Sequence, residues 1–444
     1  MKKPLIILMC FLAYLTAPLQ LKAQEKKVAK TEYSLQEAIL YAVQHNRQIK
    51  NSDLEIEKAK WQKWETTAIG LPQFSGKVEY TNNLLLPDVF SEGGNDNPLR
   101  FLFPKQQLSP TITYSQLIFD GTYLVGLKSA KVFLEISKNA KSKTTNEITK
   151  AVTDAYSNHL LVQESIKITE KNINDLLENV SETKMMLKNG LIEEETLEQL
   201  EITLNDLENN ATRLKSIREV SLSLLKLLMG VDDNQKVITT DSLDHLSANE
   251  TDNLSFFSGD ISINQNIDYK IAQNDVESKR LLYQYERARL LPSLSGFANL
   301  NSLGFGDSFT DITNNDWYTI GTVGLTLDIP IFSSFRDKAK KKQAKIDWEI
   351  SQNKLEETKM QTSINIKNAS IELELAINTL KNKEKNLKLA ERIEDKNNTK
   401  YTEGIASSFD LRQAQIQLYS SQQEYLQAMV NVINKKAELE SLTK

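Results

Sequence analysis

The chain has 444 residues, 40% hydrophobic and 25% charged, with 15 Gly, 9 Pro, 3 His and 1 Cys and a formal net charge of −5. One Cys and three well-separated histidines, His45, His159 and His245, exclude zinc fingers, disulfide frameworks and most Cys- or His-centred catalysis. Nothing in the acidic balance suggests nucleic acid, whose binders carry a basic face.

Lys2 and Lys3, the apolar run from Leu5 to about Leu15, and Leu21-Lys22-Ala23 before Gln24 read as a secretory leader over residues 1–23, cut between Ala23 and Gln24. The run is too short for a stable membrane anchor. Cys10 lies inside it behind Ile7-Leu8-Met9 rather than after a small residue, which argues against lipidation. No later segment reaches the roughly 18 continuous apolar residues of a transmembrane helix. Even Leu222 to Val231 is broken by Lys226.

Self-similarity is the strongest signal in the remaining chain. Residues 46–76 align with 266–296 at an offset of 220, with Asn46/Asn266, Lys50/Lys270, Glu57/Glu277 and Ala68/Ala288 matching. Leu71-Pro72-x-x-Ser75-Gly76 then matches Leu291-Pro292-x-x-Ser295-Gly296. Farther on the offset is 214, with Glu135-Ile136-Ser137 against Glu349-Ile350-Ser351 and Gly190 against Gly404. The first copy is assigned to 24–230, a connection to 231–266 and the second copy to 267–444.

Each copy reads in the same order. A helix (47–69; 267–290) stops before Leu-Pro, because a proline and the residue preceding it resist the helical conformation. Two strands follow, at about 73–81 and 110–120 and again at about 293–301 and 317–331, with apolar and polar residues alternating. Val323, Leu325, Leu327, Ile329 and Ile331 against Thr322, Gly324, Thr326 and Asp328 are the clearest case. A long helix (122–188; 334–401) has no Pro inside it and spans roughly 100 Å at a rise of about 1.5 Å per residue. A turn (188–195; 401–408) at Gly190 or Gly404 reverses the chain into a helix of about 37 residues (193–229; 407–443). The fold class is mainly α with a small β part. Four strands cannot close a membrane barrel, so two copies would supply 8 and three would supply 12.

The duplicated halves, Leu-Pro before each first strand and the turn Tyr401-x-x-Gly404-x-x-x-x-x-Asp410 closely resemble the TolC family of outer-membrane efflux and secretion ducts. The resemblance covers essentially all of the chain after the leader. It implies a homotrimer with a 12-stranded β-barrel in the outer membrane of a Gram-negative bacterium and a 12-helix α-barrel in the periplasm. It also implies a periplasmic adaptor and an inner-membrane transporter as partners. In that family acidic residues past the second tip close the periplasmic mouth. Asp410 falls on the first such position, Gln413 on the second, and Ala406 where a bracing Arg can occur. Glu193, Glu194, Glu195 and Glu198 flank the first tip and are further gate candidates, while Gly190, Tyr401 and Gly404 are candidates for adaptor contact. Acids in the first turn of any helix also offset its macrodipole.

Lys338, Lys340, Lys341, Lys342 and Lys345 crowd the start of the second long helix, with Lys128 and Lys131 placed similarly in the first. They read as a solvated face or as a contact for a phosphate-rich membrane surface or cell wall. Met185 and Met186 have no partner Cys or His cluster for soft metals and read as packing residues, as do Trp61 and Trp64. Trp317 and Tyr318 are expected in an outer aromatic girdle. Gly93-Gly94 and Gly304-x-Gly306 are loop glycines without a strand-to-helix context for a nucleotide. No catalytic pair, cofactor or metal site is expected. With the chain ending at Lys444, a belt around the helices is expected from residues 24–45 and 231–266. The expected function is a passive exit duct for small toxic compounds. The alternatives are protein secretion through the same fold, a periplasmic adaptor with one coiled-coil hairpin, and an exported structural coiled coil.

Overall fold

The computed structural model describes residues 31–85, 104–252, 263–314 and 316–443. The leader with Ala23 and Gln24, the Gly93-Gly94 pair and residues 253–262 of the connection lie outside them. In chain order the elements are β1 (Glu32–Tyr33), α1 (Leu35–His45), α2 (Arg47–Ala68), β2 (Gln73–Asn82), β3 (Gln106–Phe119), α3 (Gly121–Lys188) and α4 (Glu194–Met229). There follow β4 (Ile238–Thr239), α5 (Leu243–Asp252), α6 (Ile267–Ala288), β5 (Ser293–Gly306), α7 (Phe309–Asn314), β6 (Tyr318–Asp328), α8 (Arg336–Thr402) and α9 (Ser408–Thr443). The chain is mostly helical, and helix lengths recur: 22 residues in α2 and in α6, 68 in α3 and 67 in α8, and 36 in α4 and in α9.

The helices lie side by side in a single layer. Near the sheet α3 packs between α2 and α6, with Lys141 on Asp53 and Lys143 on Asp268; farther along it packs between α4 and α9, with Lys215 on Glu170 and Ser165 on Gln423. The other long helix, α8, packs against α6 and then α9. Each pair of shorter helices therefore abuts end to end, and one asparagine splices each joint. Asn46 accepts the Gln48 N–H on Oδ1 at 2.7 Å, capping α2, while its Nδ2 donates to the Leu228 carbonyl in the last turn of α4 at 2.7 Å. Asn266 accepts the Tyr269 N–H at 3.0 Å and donates to the Leu442 carbonyl of α9 at 2.8 Å. One side chain thus satisfies an orphan donor of one helix and an orphan acceptor of the next. Gly230 shares the first joint with φ 75°, and a Cβ there would stand 2.5 Å from the His45 carbonyl oxygen.

The four strands form an antiparallel sheet in the order β2-β3-β5-β6, open along β2 and β6; one chain closes no barrel. Its register sorts the faces. Phe74, Tyr114, Ala298 and Val323 form one cross-strand row and Gly76, Ile112, Leu300 and Gly321 the row beside it on the same face. Ser75, Thr113, Asn299 and Thr322 lie between them on the opposite face, since successive side chains alternate. Three strand boundaries differ from expectation. β3 begins at Gln106 rather than about 110, with Pro110 inside it opposite Val78; the pairing to β5 skips Ser109 and Pro110, because proline has no N–H to donate. β5 runs to Gly306 rather than 301. β6 stops at Asp328 rather than 331, two residues before Pro330. The short α7 was not anticipated.

The main core lies where the helix joints meet the first and last segments. Tyr33, Ala38 and Ala42 pack with Val152, Tyr156 and Leu160 of α3, Leu225 and Met229 of α4, and Met429 and Ile433 of α9. β1 pairs with β4, and the buried Tyr156 hydroxyl donates to the Tyr33 carbonyl at 2.9 Å and to Asp241 Oδ2 at 3.1 Å. Within one chain Trp61 and Trp64 are not packing residues: they are 65% and 56% exposed on α2, at the edge of the layer.

Candidate functional site: the two helical tips

Both long helices end in the same turn. After α3, Gly190 takes φ 74°, its N–H reaches the Leu187 carbonyl at 2.9 Å and the Leu191 N–H reaches Met186 at 3.0 Å. After α8, Gly404 takes φ 73°, with Gly404 N–H on Tyr401 at 3.0 Å and Ile405 N–H on Lys400 at 2.8 Å. These are Schellman closures, in which a left-handed residue after the helix lets the chain cover the last free carbonyls; glycine takes that conformation without a Cβ penalty. Leu191, Ile405 and Phe409 are exposed around the two turns.

The returning helices start differently. Glu193 caps α4 without a side-chain bond, and Glu194 and Glu195 occupy its first turn. Glu193, Glu194, Glu195 and Glu198 are all exposed, and none forms an ion pair among the described residues; Glu195 accepts only from Gln199, at 2.9 Å. In the second tip Ser407 and Asp410 form a reciprocal cap: the Asp410 N–H donates to Ser407 Oγ, while the Ser407 hydroxyl and N–H donate to Asp410 Oδ2 at 2.6 and 3.2 Å. The Ser407 hydroxyl, then its N–H, and more weakly Lys400 hold the Asp410 carboxyl below the usual carboxylate range. Gln413 is exposed one turn farther on. Tyr401 is only 6% exposed, with its hydroxyl 3.0 Å from Thr183 Oγ1 of α3. It braces one tip against the other from inside, so the surface at the turns belongs to Gly190, Gly404 and their exposed neighbours.

Two kinds of seam meet here. Each hairpin is closed internally by apolar contact and ion pairs: Leu176 and Val180 against Leu200, Lys184–Glu201 at 2.9 Å, and Lys383–Glu424 at 2.7 Å. Between the hairpins, α3 adds to the apolar contacts of the main core a row of neutral polar bonds to α9, with Ser157 on Asn434 at 2.8 Å, Ser165 on Gln423 at 3.1 Å and Asn172 on Gln422 at 2.9 Å. Sequence reading missed this ladder, although Ser165, Asn172 and Asn179 recur at the seven-residue spacing that places side chains on one helical stripe.

Perturbed groups along the layer are packing features. Burial, reinforced by Arg218, lowers His159 to about 4, and its ring bonds to Ser221 and Gln163, each at 2.8 Å. Burial, offset by Gln415 and supported by Asp175, raises Glu394. The groove of about 620 Å³ between α2, α3 and α6, lined by Thr66, Phe133, Leu281 and Tyr285, holds no acid–base pair. Among the described residues no group of three His, Cys, Asp or Glu side chains could hold a metal, and no helix is long and apolar enough to cross a membrane.

Residues 260–443 match the family model described as outer membrane efflux protein. Among solved structures the chain is similar to the outer membrane protein VceC from Vibrio cholerae, at 14% identity and a TM-score of 0.72, over 92% of this chain and 96% of that one. It is similar to CusC at 17% identity and a TM-score of 0.73, over 96% of each chain. It is also similar to the Campylobacter jejuni CmeC outer membrane channel at 15% identity and a TM-score of 0.73, over 95% of this chain and 90% of that one. No curated protein sequence matches. The structures carry the fold. The family match, over residues 260–443, bears out the likeness to outer-membrane efflux ducts.

Proposed function

We propose that this chain, whose residues 260–443 match the outer membrane efflux protein model, belongs to that family and forms a passive homotrimeric exit duct of a tripartite efflux system. The observation that carries the reading is the sheet: four strands in register, one face apolar, both edges unpaired. Open edges in a bilayer leave backbone groups without partners, at a prohibitive cost. β6 of one copy therefore pairs with β2 of the next, and three copies of a 4-stranded sheet give a 12-stranded barrel wide enough for water. The helical layer closes in the same way into a 12-helix α-barrel. α2 and α8 are its free edges, and exposed Trp61 and Trp64 supply apolar surface for the neighbouring copy.

The equal helix lengths and the paired asparagine joints support one duplicated unit behind both halves. α3 and α8, each roughly 100 Å long at a rise of about 1.5 Å per residue, carry the bore into the periplasm. The tip turns meet a periplasmic adaptor, which couples the duct to an inner-membrane transporter. Glu193, Glu194, Glu195 and Glu198, repeated three times, with Asp410 and Gln413 beside them, set a negative potential at the mouth. The cargo is small toxic compounds, and the duct performs no chemistry of its own.

Fractionation and single-channel recording test this reading. It requires recovery in the outer-membrane fraction and discrete conductance in a planar bilayer. Recovery in the soluble periplasm after cell breakage refutes it.

A further inference from the structure

The ten residues that open α8, Arg336 to Lys345, hold six basic side chains and one acid. That acid is already neutralised, because Asp337 is buried, accepts from Arg336 Nε at 3.1 Å and lies 3.9 Å from Arg289. Lys345 reaches Glu349 at 3.3 Å, whereas Lys338, Lys340, Lys341 and Lys342 make no ion pair among the described residues. All of this charge sits at a helix N-terminus, where the macrodipole is itself positive and stability favours acids. A cation run held against that gradient forgoes the stabilisation that acids would give there, and an anionic counterpart outside the chain would relieve the repulsion.

The geometry says where the counterpart lies. Val323, Leu325 and Leu327 are on the apolar face of β6, and exposed apolar residues continue past its last pair as Ile329 and the 92% exposed Ile331, then Phe332 and Phe335. The two phenyl rings meet edge to face at 5.8 Å, and Lys338 Nζ stands 5.8 Å from the Phe335 ring centroid. Ser334 and Phe335 hold φ 49° and 62°, a region that residues with side chains rarely occupy, in the turn that leaves Phe335 exposed. Lys338, Lys342 and Lys345 follow at i, i+4 and i+7 on one helical face. At a rise of about 1.5 Å per residue they lie within about 15 Å of the helix start. Apolar, then aromatic, then basic along one surface is the sequence of environments from hydrocarbon to phosphate.

We propose that residues 329–345 form an anchor for anionic phospholipid. Ile331, Phe332 and Phe335 enter the hydrocarbon edge, and Lys338, Lys342 and Lys345 bind headgroup phosphates of the leaflet facing the helical layer. This rests on the reading of the sheet as a membrane barrel.

The test uses the full-length protein, purified in detergent and offered equal amounts of phosphatidylglycerol and phosphatidylcholine, with retained lipid read by native mass spectrometry. Wild type retains phosphatidylglycerol preferentially. At about fivefold per lysine near an anionic surface, K338Q/K342Q/K345Q lowers that preference by about a hundredfold, while K381Q/K385Q/K388Q, farther along the same helix, leaves it unchanged. Equal retention of both lipids by wild type, an unaltered preference in the first variant, or equal loss in both variants overturns the anchor. So does retention of cell-wall fragments by these lysines in place of lipid. Conductance of the same wild-type preparation separates the two readings: channels without lipid preference remove the anchor alone, and absence of channels removes the duct and the anchor together.

Discussion

Replacing Asn46 separates the two bonds by which it joins stacked helices. The side chain is 4% exposed, caps α2 through Oδ1 and donates across the joint to Leu228 through Nδ2. Loss of an N-cap costs about 1 kcal/mol. The cross-joint bond contributes about 1 kcal/mol net, and leaving the Leu228 carbonyl buried without a partner adds roughly 1–2 kcal/mol. Asn46→Ala is therefore expected to cost about 3–4 kcal/mol, and Asn46→Ser, which keeps the cap but is too short for Leu228, about 2–3 kcal/mol. Hydrogen exchange of peptides covering residues 222–235, read by mass spectrometry on the detergent-solubilised protein, reports opening at this joint. The same order is expected for Asn266 and the end of α9, where the side chain is 2% exposed. Equal protection in the Ala and Ser variants would show that the cap on α2 contributes nothing, and a Ser variant as protected as wild type would show the same of the bond across the joint. Unchanged protection in both would refute the splice.

Three further groups of substitutions have graded outcomes. Gly190→Ala and Gly404→Ala, at φ 74° and 73° with open space around each, should cost about 1 kcal/mol in thermal unfolding; Gly230→Ala, at φ 75° and 2.5 Å from the His45 carbonyl oxygen, should cost clearly more, and equal losses would contradict the joint geometry. His159 falls to about 4 in the folded chain from an ordinary value near 6.5, so the unfolded chain binds the extra proton first. Its neutral, buried state is fully stabilising above pH 6.5, and about 3 kcal/mol is lost as pH falls to 4. Melting curves of wild type and His159→Gln should converge over that window, and parallel curves would refute the assignment. At the mouth, Gln at Glu193, Glu194, Glu195 and Glu198 together should reduce cation selectivity, read as reversal potential under a salt gradient, more than Asp410→Ala does. The opposite order would move the gate to Asp410.

Local signals were legible wherever the chain's own backbone decides. Gly190 and Gly404 mark turns because the left-handed residue there has no Cβ to strain, and Leu71-Pro72 and Leu291-Pro292 follow helices that proline cannot extend. Pro110 misled, because a proline inside β3 is tolerated once the ladder on one side is interrupted, and that depends on the neighbouring strand. Trp61 and Trp64 misled because helical spacing identifies a shared face but not whether the same chain covers it. Tyr401 looked like a surface marker of the tip and is buried, because Thr183 lies opposite it on a helix more than two hundred residues away in sequence.

By itself the sequence determined the long uninterrupted helices, the places where they turn and the two-faced strands, since periodicity and the backbone limits of Gly and Pro are properties of neighbouring residues. Only the tertiary structure decided which helices abut, and that Asn46 and Asn266 bridge the joints. It also decided that neutral polar bonds line the seam between hairpins beyond the main core, while ion pairs line the seams within them. Those outcomes depend on which surfaces meet across hundreds of residues, where distance and desolvation act and sequence spacing carries no information.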